Sequence, residues 1–341
     1  MKEILQQLSE GKSLSSEEIK IASESLFSNE ITDSEIAAFL IGLKMKGETA
    51  AEIAGVAAAL RKRALKFNKR IPSIMDNCGT GGDGVKSFNI STTSAFVIAG
   101  AGIPVAKHGN RSISSKTGSA DVLEHIGIDL NFSPETTEEI LEKVGIAFLF
   151  APHVHPELKR IMKVRKDLRI PTIFNLIGPL TNPVELETQL LGIYRRDMVV
   201  LFAEVLKMLG RQRAVVINGA GYMDEASLQG ENYLAILENG CIKEKVLVPE
   251  EFGLSCYSND SIRGGDPSEN ADILLRVLKS ERGPYRETVL LNAGLGIFAA
   301  AKADTIQKGI ELARESIDSG SALNKLQQLI TASRSYQKKV I

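Results

Sequence analysis

DNCGTGGDGVKSFNIST, residues 76–92, places four glycines, two aspartates and a cluster of hydroxyl side chains in seventeen positions. The residues leading into it, IPSIMDN (71–77), read as a short apolar strand, and residues 90–99 read as a helix. The glycines therefore occupy a strand-to-helix turn. Glycine tolerates positive φ and lets another group approach the backbone closely. Successive N–H groups in such a turn, followed by a helix N-terminus, form a concavity suited to an anion. Ser87, Asn89, Ser91 and Thr92 add side-chain partners for phosphate oxygens. The spacing is neither the GxxxxGK(S/T) phosphate loop nor the GxGxxG dinucleotide fingerprint. A glycine turn carrying Asp83 also satisfies a purely structural role, so this stretch alone leaves both readings open.

Outward from the turn, short apolar runs (IPVAK, IAFLFA, TQLLGIY, AVVING) alternate with longer helical patterns. That alternation predicts a mainly parallel sheet covered by helices. YLAILENGCIKEKVLVP, beginning at Tyr233, differs: two β-type runs around Glu238-Asn239-Gly240 predict a hairpin and an antiparallel component. The first seventy residues read as helices alone. Ser15 with Glu18, Thr32 with Glu35 and Thr49 with Glu52 have capping-box spacing, and Gly47 supplies a helix stop. The expected architecture is all-α plus α/β. A small helical domain spans 1–70, completed by helices around 165–185, and a larger α/β domain spans 71–341.

Two further stretches bear on chemistry. AKHGNRSISSKTGSADVLE (106–124) follows a strand-like run and precedes a helix starting near Ser119. Lys107, Arg111 and Lys116, with Ser112, Ser114, Ser115 and Ser119, suit a phosphate or pyrophosphate; a solvated basic loop is the plainer reading. Two such loops after successive parallel strands share one carboxyl edge, where ligands bind. GYMDEASLQG (221–230) sets Asp224 and Glu225 after the AVVING strand. That pair is a magnesium-type arrangement of hard oxygen ligands, or an exposed acidic turn.

Composition narrows the class. Lys and Arg number 41 against 42 Asp and Glu, a formal charge of -1, which argues against a broad nucleic-acid footprint. Cys78, Cys241 and Cys256 have neither disulfide-framework nor metal spacing. MKEILQQLSE lacks the apolar core of a signal peptide, and no apolar run approaches the roughly 18 residues of a membrane span. A reducing cytoplasm is expected.

GTGGD, NIST, and KHGNRS with SSK and GSADVLE, in this order, resemble the anthranilate phosphoribosyltransferases of tryptophan biosynthesis. The likeness continues through FLFAPHVHPELKRIMKVRKDLRIPTIFNLIGPLTNP (148–183), LLGIY, GYMDE and GPYRETVLLNAG (283–294). The resemblance implies a nucleoside-phosphorylase-like fold, commonly a homodimer, that transfers phosphoribose from phosphoribosyl pyrophosphate to the amine of anthranilate. It implies a Mg2+ requirement, and neither nucleic acid nor membrane as partner. It also implies donor contacts at Gly79, Gly82, Asp83, Ser87, Asn89, Ile90, Ser91, Thr92, Lys107, His108, Gly109, Asn110, Arg111, Ser112, Ile113, Ser114, Ser115 and Ser119. Anthranilate falls to Gly79, Asn110 and Arg165, and magnesium to Ser91, Asp224 and Glu225.

Displacing pyrophosphate from an anomeric carbon needs fixed donors aimed at the departing negative charge, a role suited to Lys107 and Arg111. His108 either orients the aromatic acceptor or packs. His125, His153 and His155 read as structural or surface residues. Leu168-Arg169-Ile170-Pro171 departs from the family's usual LGxR. The rival readings are a pyrimidine-nucleoside phosphorylase-like enzyme and a non-catalytic nucleic-acid-binding relative.

Overall fold

The computed structural model describes residues 1–111 and 116–337. Four helices open the chain: α1 (Lys2–Ser9), α2 (Ser16–Ser25), α3 (Asp33–Lys46) and α4 (Ala50–Arg63). All three expected capping boxes form. In the second, Thr32 Oγ1 accepts the Glu35 N–H at 3.1 Å while Glu35 Oε2 accepts the Thr32 N–H at 2.9 Å. Each cap satisfies donors that the first helical turn leaves open, a contribution of about 1 kcal/mol. Gly47, at φ 87°, ends α3. Ile36, Phe39, Leu40 and Leu43 recur at helical spacing and are fully buried.

The remaining chain runs β1 (Met75–Asp76), α5 (Ile90–Gly100), β2 (Val105–Gly109), α6 (Ser119–His125), α7 (Pro134–Val144) and β3 (Ile146–Phe150). It continues through α8 (Ala151–Val154), α9 (Lys159–Leu168), β4 (Thr188–Gly192), α10 (Val199–Met208), β5 (Arg213–Asn218), β6 (Asn232–Glu238) and β7 (Cys241–Leu247). It ends in α11 (Pro267–Leu278), α12 (Pro284–Ala299), α13 (Ile306–Asp318) and α14 (Ser321–Gln337). Among the described residues the strands form one seven-stranded sheet, ordered β3-β2-β1-β4-β5-β6-β7. β3 through β5 in that order are parallel, and β6 and β7 form the expected antiparallel hairpin. Asn239 and Gly240 both have positive φ, as a two-residue hairpin turn requires.

β5 shows how the layers separate. Val215 and Ile217 join the core under α5 and α12, whereas Ala214 and Val216 join the core of α10 and the N-terminal helices. This is the two-residue period of a strand buried on both faces. The helical core is thus continuous with one face of the sheet, through Leu191, Ile193, Phe202 and Leu206.

One expectation needs correction. Helices were expected around 165–185, but α9 ends at Leu168 and two 3-10 turns follow, Ile173–Asn175 and Gly178–Leu180. Pro171, Pro179 and Pro183 deny the segment the N–H groups a longer helix needs. Its apolar side chains still pack with the helical core, as Ile173, Phe174, Ile177 and Leu180 are buried. No helix among the described residues is long and apolar enough to cross a membrane.

Candidate active site

β1 is central: the chain leaves it for β2 on one side and later returns as β4 on the other. The turns after β1, β2, β4 and β5 therefore converge at the carboxyl edge of the sheet, at a topological switch point. The glycine-rich turn follows β1, with positive φ at Gly81, Gly82 and Gly84. It leads to Asn89, which precedes the first turn of α5, where Ile90 is buried and Ser91 half-buried.

A distant segment fastens this turn. The Phe88 N–H donates to the Ile262 carbonyl (3.0 Å), the Gly264 N–H to the Lys86 carbonyl (2.9 Å), and Ser87 bridges Arg263. Asn270 Nδ2 donates to Asn89 Oδ1 at 2.8 Å. Neither segment 262–266 nor Asn270 carries a motif that sequence reading singled out.

The carboxylate pair lies directly against the turn. Asp224 Oδ2 accepts the Gly81 N–H at 2.6 Å. Two glycines make room for Asp224. A Cβ on Gly79 would lie 2.4 Å from its Oδ2, and a Cβ on Gly192 would lie 1.5 Å from its backbone oxygen. Gly79 is absent from the positive-φ glycines, so close approach, not backbone conformation, requires glycine there.

Three carboxyls crowd this spot, and burial raises all of them. Asp83 is pushed up to about 8, by burial first and then by the charge of Asp224, to which it donates a hydrogen bond. Asp224 is raised by burial, against the Gly81 N–H and that bond from Asp83. Glu225 is pushed well above the usual carboxylate range by burial and then by Asp224; Lys107 and a hydrogen bond from Ser91 oppose the shift. Asp83 thus holds a proton against Asp224 where two like charges would otherwise meet. Among the described residues no three His, Cys, Asp or Glu side chains are arranged to close around an ion. Magnesium does not need such a cage, because it keeps waters and binds through one or two carboxylates with substrate phosphates.

β2 supplies the second loop. Lys107 is 3% exposed, and its charge acts on Asp76, Asp224 and Glu225. His108 Nδ1–H donates to the Gly178 carbonyl at 3.2 Å, leaving Nε2 a bare, buried acceptor with no partner. Burial holds His108 down to about 3, and His155 down to about 4. Their rings meet edge to face, with centroids 5.6 Å apart. His155 was grouped with structural or surface histidines; it is buried against His108. His153 Nε2 bonds the Phe132 carbonyl oxygen at 3.0 Å.

Gly109 packs against Phe148 and Ser119, while Asn110 accepts the Arg111 N–H through its side chain at 2.7 Å. Ser119 Oγ accepts a hydrogen bond from Thr92 Oγ1 at 2.9 Å, tying the two loops together. Arg111, expected to act with Lys107, turns its guanidinium to Asp121 (3.0 Å) and bidentately to Glu124 (2.5 and 2.8 Å). In this conformation two α6 acids, not the cleft, engage its charge. Ser112, Ile113, Ser114 and Ser115 lie outside the described residues.

Arg165, on α9, is half-buried over the Phe174 ring (5.4 Å), and its Nη2 donates to Asn175 Oδ1 at 3.2 Å. Gly178, which binds His108, lies three residues beyond Asn175. One short segment therefore joins the Arg165 contact to the β2 loop.

Comparisons with known proteins agree with this arrangement. Residues 2–64 match the model of the glycosyl transferase family helical bundle domain, and residues 71–323 that of the glycosyl transferase family a/b domain. The chain is 58% identical to an anthranilate phosphoribosyltransferase of Bacillus cereus over 340 residues, covering 100% of both. It superposes on the Thermus thermophilus anthranilate phosphoribosyltransferase with a TM-score of 0.92 at 38% identity, covering 97% of this chain and 99% of that one. The Saccharomyces cerevisiae enzyme, solved in complex with PRPP and Mg, matches with a TM-score of 0.88 at 28% identity, covering 98% and 97%. With full-length identity this high and both domains matched, the chain belongs to the anthranilate phosphoribosyltransferase family.

Proposed function

We propose that this chain transfers the 5-phosphoribosyl group of phosphoribosyl pyrophosphate to the amine of anthranilate, giving N-(5-phosphoribosyl)anthranilate and pyrophosphate. The observation that carries this reading is the convergence of the glycine turn after β1 and of buried Lys107 on β2 at the Asp83, Asp224 and Glu225 carboxyls, where Asp224 accepts the Gly81 N–H. Such a cluster calls for a cation, and the loops beside it offer N–H groups and Lys107 to an anion. The donor brings the anion and Mg2+ the cation.

Ser91, Asp224 and Glu225 would hold Mg2+, supported by the approach of Ser91 to Glu225. Bound there, Mg2+ supplies charge neutralisation for pyrophosphate. The chain's own groups do the rest. The glycine turn and α5 N-terminus, with Gly79, Gly82, Asp83, Ser87 and Asn89 to Thr92, hold the donor's phosphates. Lys107 steadies negative charge as the anomeric C–O bond breaks. Arg165 offers a planar fork to the anthranilate carboxylate. His108 Nε2, too weakly basic to take a proton at neutral pH, is an acceptor that orients the amine. The amine is a neutral nucleophile, so positioning carries much of the rate.

The family resemblance supports a homodimer and a cytoplasmic site of action; sedimentation of the purified protein tests the first. The deciding assay follows anthranilate consumption with phosphoribosyl pyrophosphate, with and without Mg2+. No turnover with Mg2+ present, or equal turnover after its removal by chelation, would overturn the reading. Phosphorolysis of a pyrimidine nucleoside in its place would favour the phosphorylase alternative.

A further inference from the structure

β1 and β2 are paired at a single register, Met75 against Val105, whereas β2 continues beside β3 through Gly109. After Asp76 the chain leaves the sheet for the glycine turn. The β2 edge from Ala106 to His108 therefore loses its strand partner on the β1 side, at the point where the two substrate loops part. Unpaired backbone groups in so dry a place are costly.

Side chains meet these groups instead. Asp76 Oδ1 accepts the His108 N–H at 3.2 Å, and Asn182 Nδ2 donates to the Ala106 carbonyl at 2.8 Å. The same Nδ2 donates to Asp76 Oδ2 at 3.0 Å, while Asn182 Oδ1 accepts the Val184 N–H at 3.0 Å. Both side chains are 0% exposed. One carboxylate and one carboxamide thus rebuild the missing rung between β1 and β2.

We infer that Asp76 and Asn182 are positioning residues: their bridge sets the separation and register of the β1 and β2 loops, and so the donor geometry between them. A core polar pair that merely stabilises the fold would satisfy its own atoms. This pair instead satisfies the backbone of the strand that carries Lys107 and His108, two residues before the second loop begins. The inference rests on the donor reading proposed above.

The pattern of donors and acceptors makes the test sharp. In Asp76→Asn, either amide orientation sets an NH2 group against a donor, the His108 N–H or Asn182 Nδ2, with no change of shape. In Asn182→Asp, acceptor meets acceptor at Asp76 and at Ala106. The double exchange Asp76→Asn with Asn182→Asp restores the contact between the two side chains and leaves the Ala106 carbonyl unpaired.

Steady-state kinetics and amide hydrogen exchange are measured on wild type, both single variants, the double variant and Asn182→Ala. The expected result is a KM for phosphoribosyl pyrophosphate raised about ten-fold or more in each single exchange, with faster exchange at the His108 amide. The double exchange should recover part of both effects. A loss of stability alone reduces the amount of active enzyme and leaves KM unchanged, so an unchanged KM with a protected His108 amide overturns the inference. Should Asp76→Asn fail to fold, Asn182→Ala decides by the same two readouts. Wild type without transfer activity would overturn the functional reading, and exchange at His108 would still decide the bridge.

Discussion

Replacing Gly79 with alanine separates the function of the glycine turn from its fold. The backbone there is not in the left-handed region, so alanine meets no conformational penalty of the kind reserved for positive φ. The main obstacle is the Asp224 carboxylate, with the Asp224 backbone oxygen a milder one. The new Cβ would sit 2.4 Å from Asp224 Oδ2 and 2.9 Å from the Asp224 backbone oxygen. Ordinary contact needs roughly 1 Å more, so the carboxylate must swing away. That movement breaks the 2.6 Å bond from the Gly81 N–H to Oδ2. A hydrogen bond to a charged group is worth about 1.5–3 kcal/mol, which corresponds to roughly a ten- to hundred-fold change in an equilibrium constant. Calorimetric titration with phosphoribosyl pyrophosphate, with and without Mg2+, measures that change. The expected outcome is a ten- to hundred-fold weaker affinity with Mg2+, a smaller change without it, and a melting temperature within a few degrees of wild type. A variant that retains the full Mg2+ enhancement of donor binding would refute the argument. Gly192→Ala supplies the contrast: its Cβ would lie 1.5 Å from a backbone oxygen that cannot rotate away, so stability should fall first.

Three further predictions concern Arg165, His155 and Arg169. Arg165→Ala should raise the KM for anthranilate about ten-fold or more and move that for phosphoribosyl pyrophosphate far less; equal losses would make Arg165 a support for domain closure. His155→Gln should flatten the acid limb of the pH–stability curve. His155 titrates near 6.5 unfolded and is held down to about 4 when folded. Between those values the unfolded chain binds the extra proton, so stability is present above about 6.5 and lost as pH falls toward 4, at roughly 1.4 kcal/mol per pH unit. Denaturant titrations of wild type and variant across that window should converge toward acid; parallel curves would refute the shift. Arg169→Gly should stabilise the fold by about 0.5–1 kcal/mol, since Arg169 ends α9 at φ 55°, which a side chain disfavours. An unchanged or lower melting temperature would place compensating contacts at that side chain.

Much of the architecture was legible because it depends on local chemistry. The capping boxes at Ser15, Thr32 and Thr49, the Asn239-Gly240 hairpin and the strand–glycine–helix unit each declare themselves within a few residues. The loops after β1 and β2 stood out for the same reason, since glycines, cations and hydroxyls cluster there in sequence. The segment 165–185 misled because its apolar side chains keep a core-facing pattern while three prolines interrupt the helix.

What the sequence by itself determined was the fold class, the kind of most elements outside 165–185 and, through the resemblance, the family. What the tertiary structure decided was which distant groups meet. Gly79 is glycine because Asp224 occupies the space its side chain would fill, and the Gly81–Asp224 bond spans 143 residues. Asp76 bonds Asn182 across 106 residues, and Asn89 meets Asn270 across 181. Arg111 and His155 read as a loop cation and a plain histidine until α6 and β2 bring Glu124 and His108 to them. Such contacts follow from strand order, which the packing of the whole chain selects and no local periodicity records.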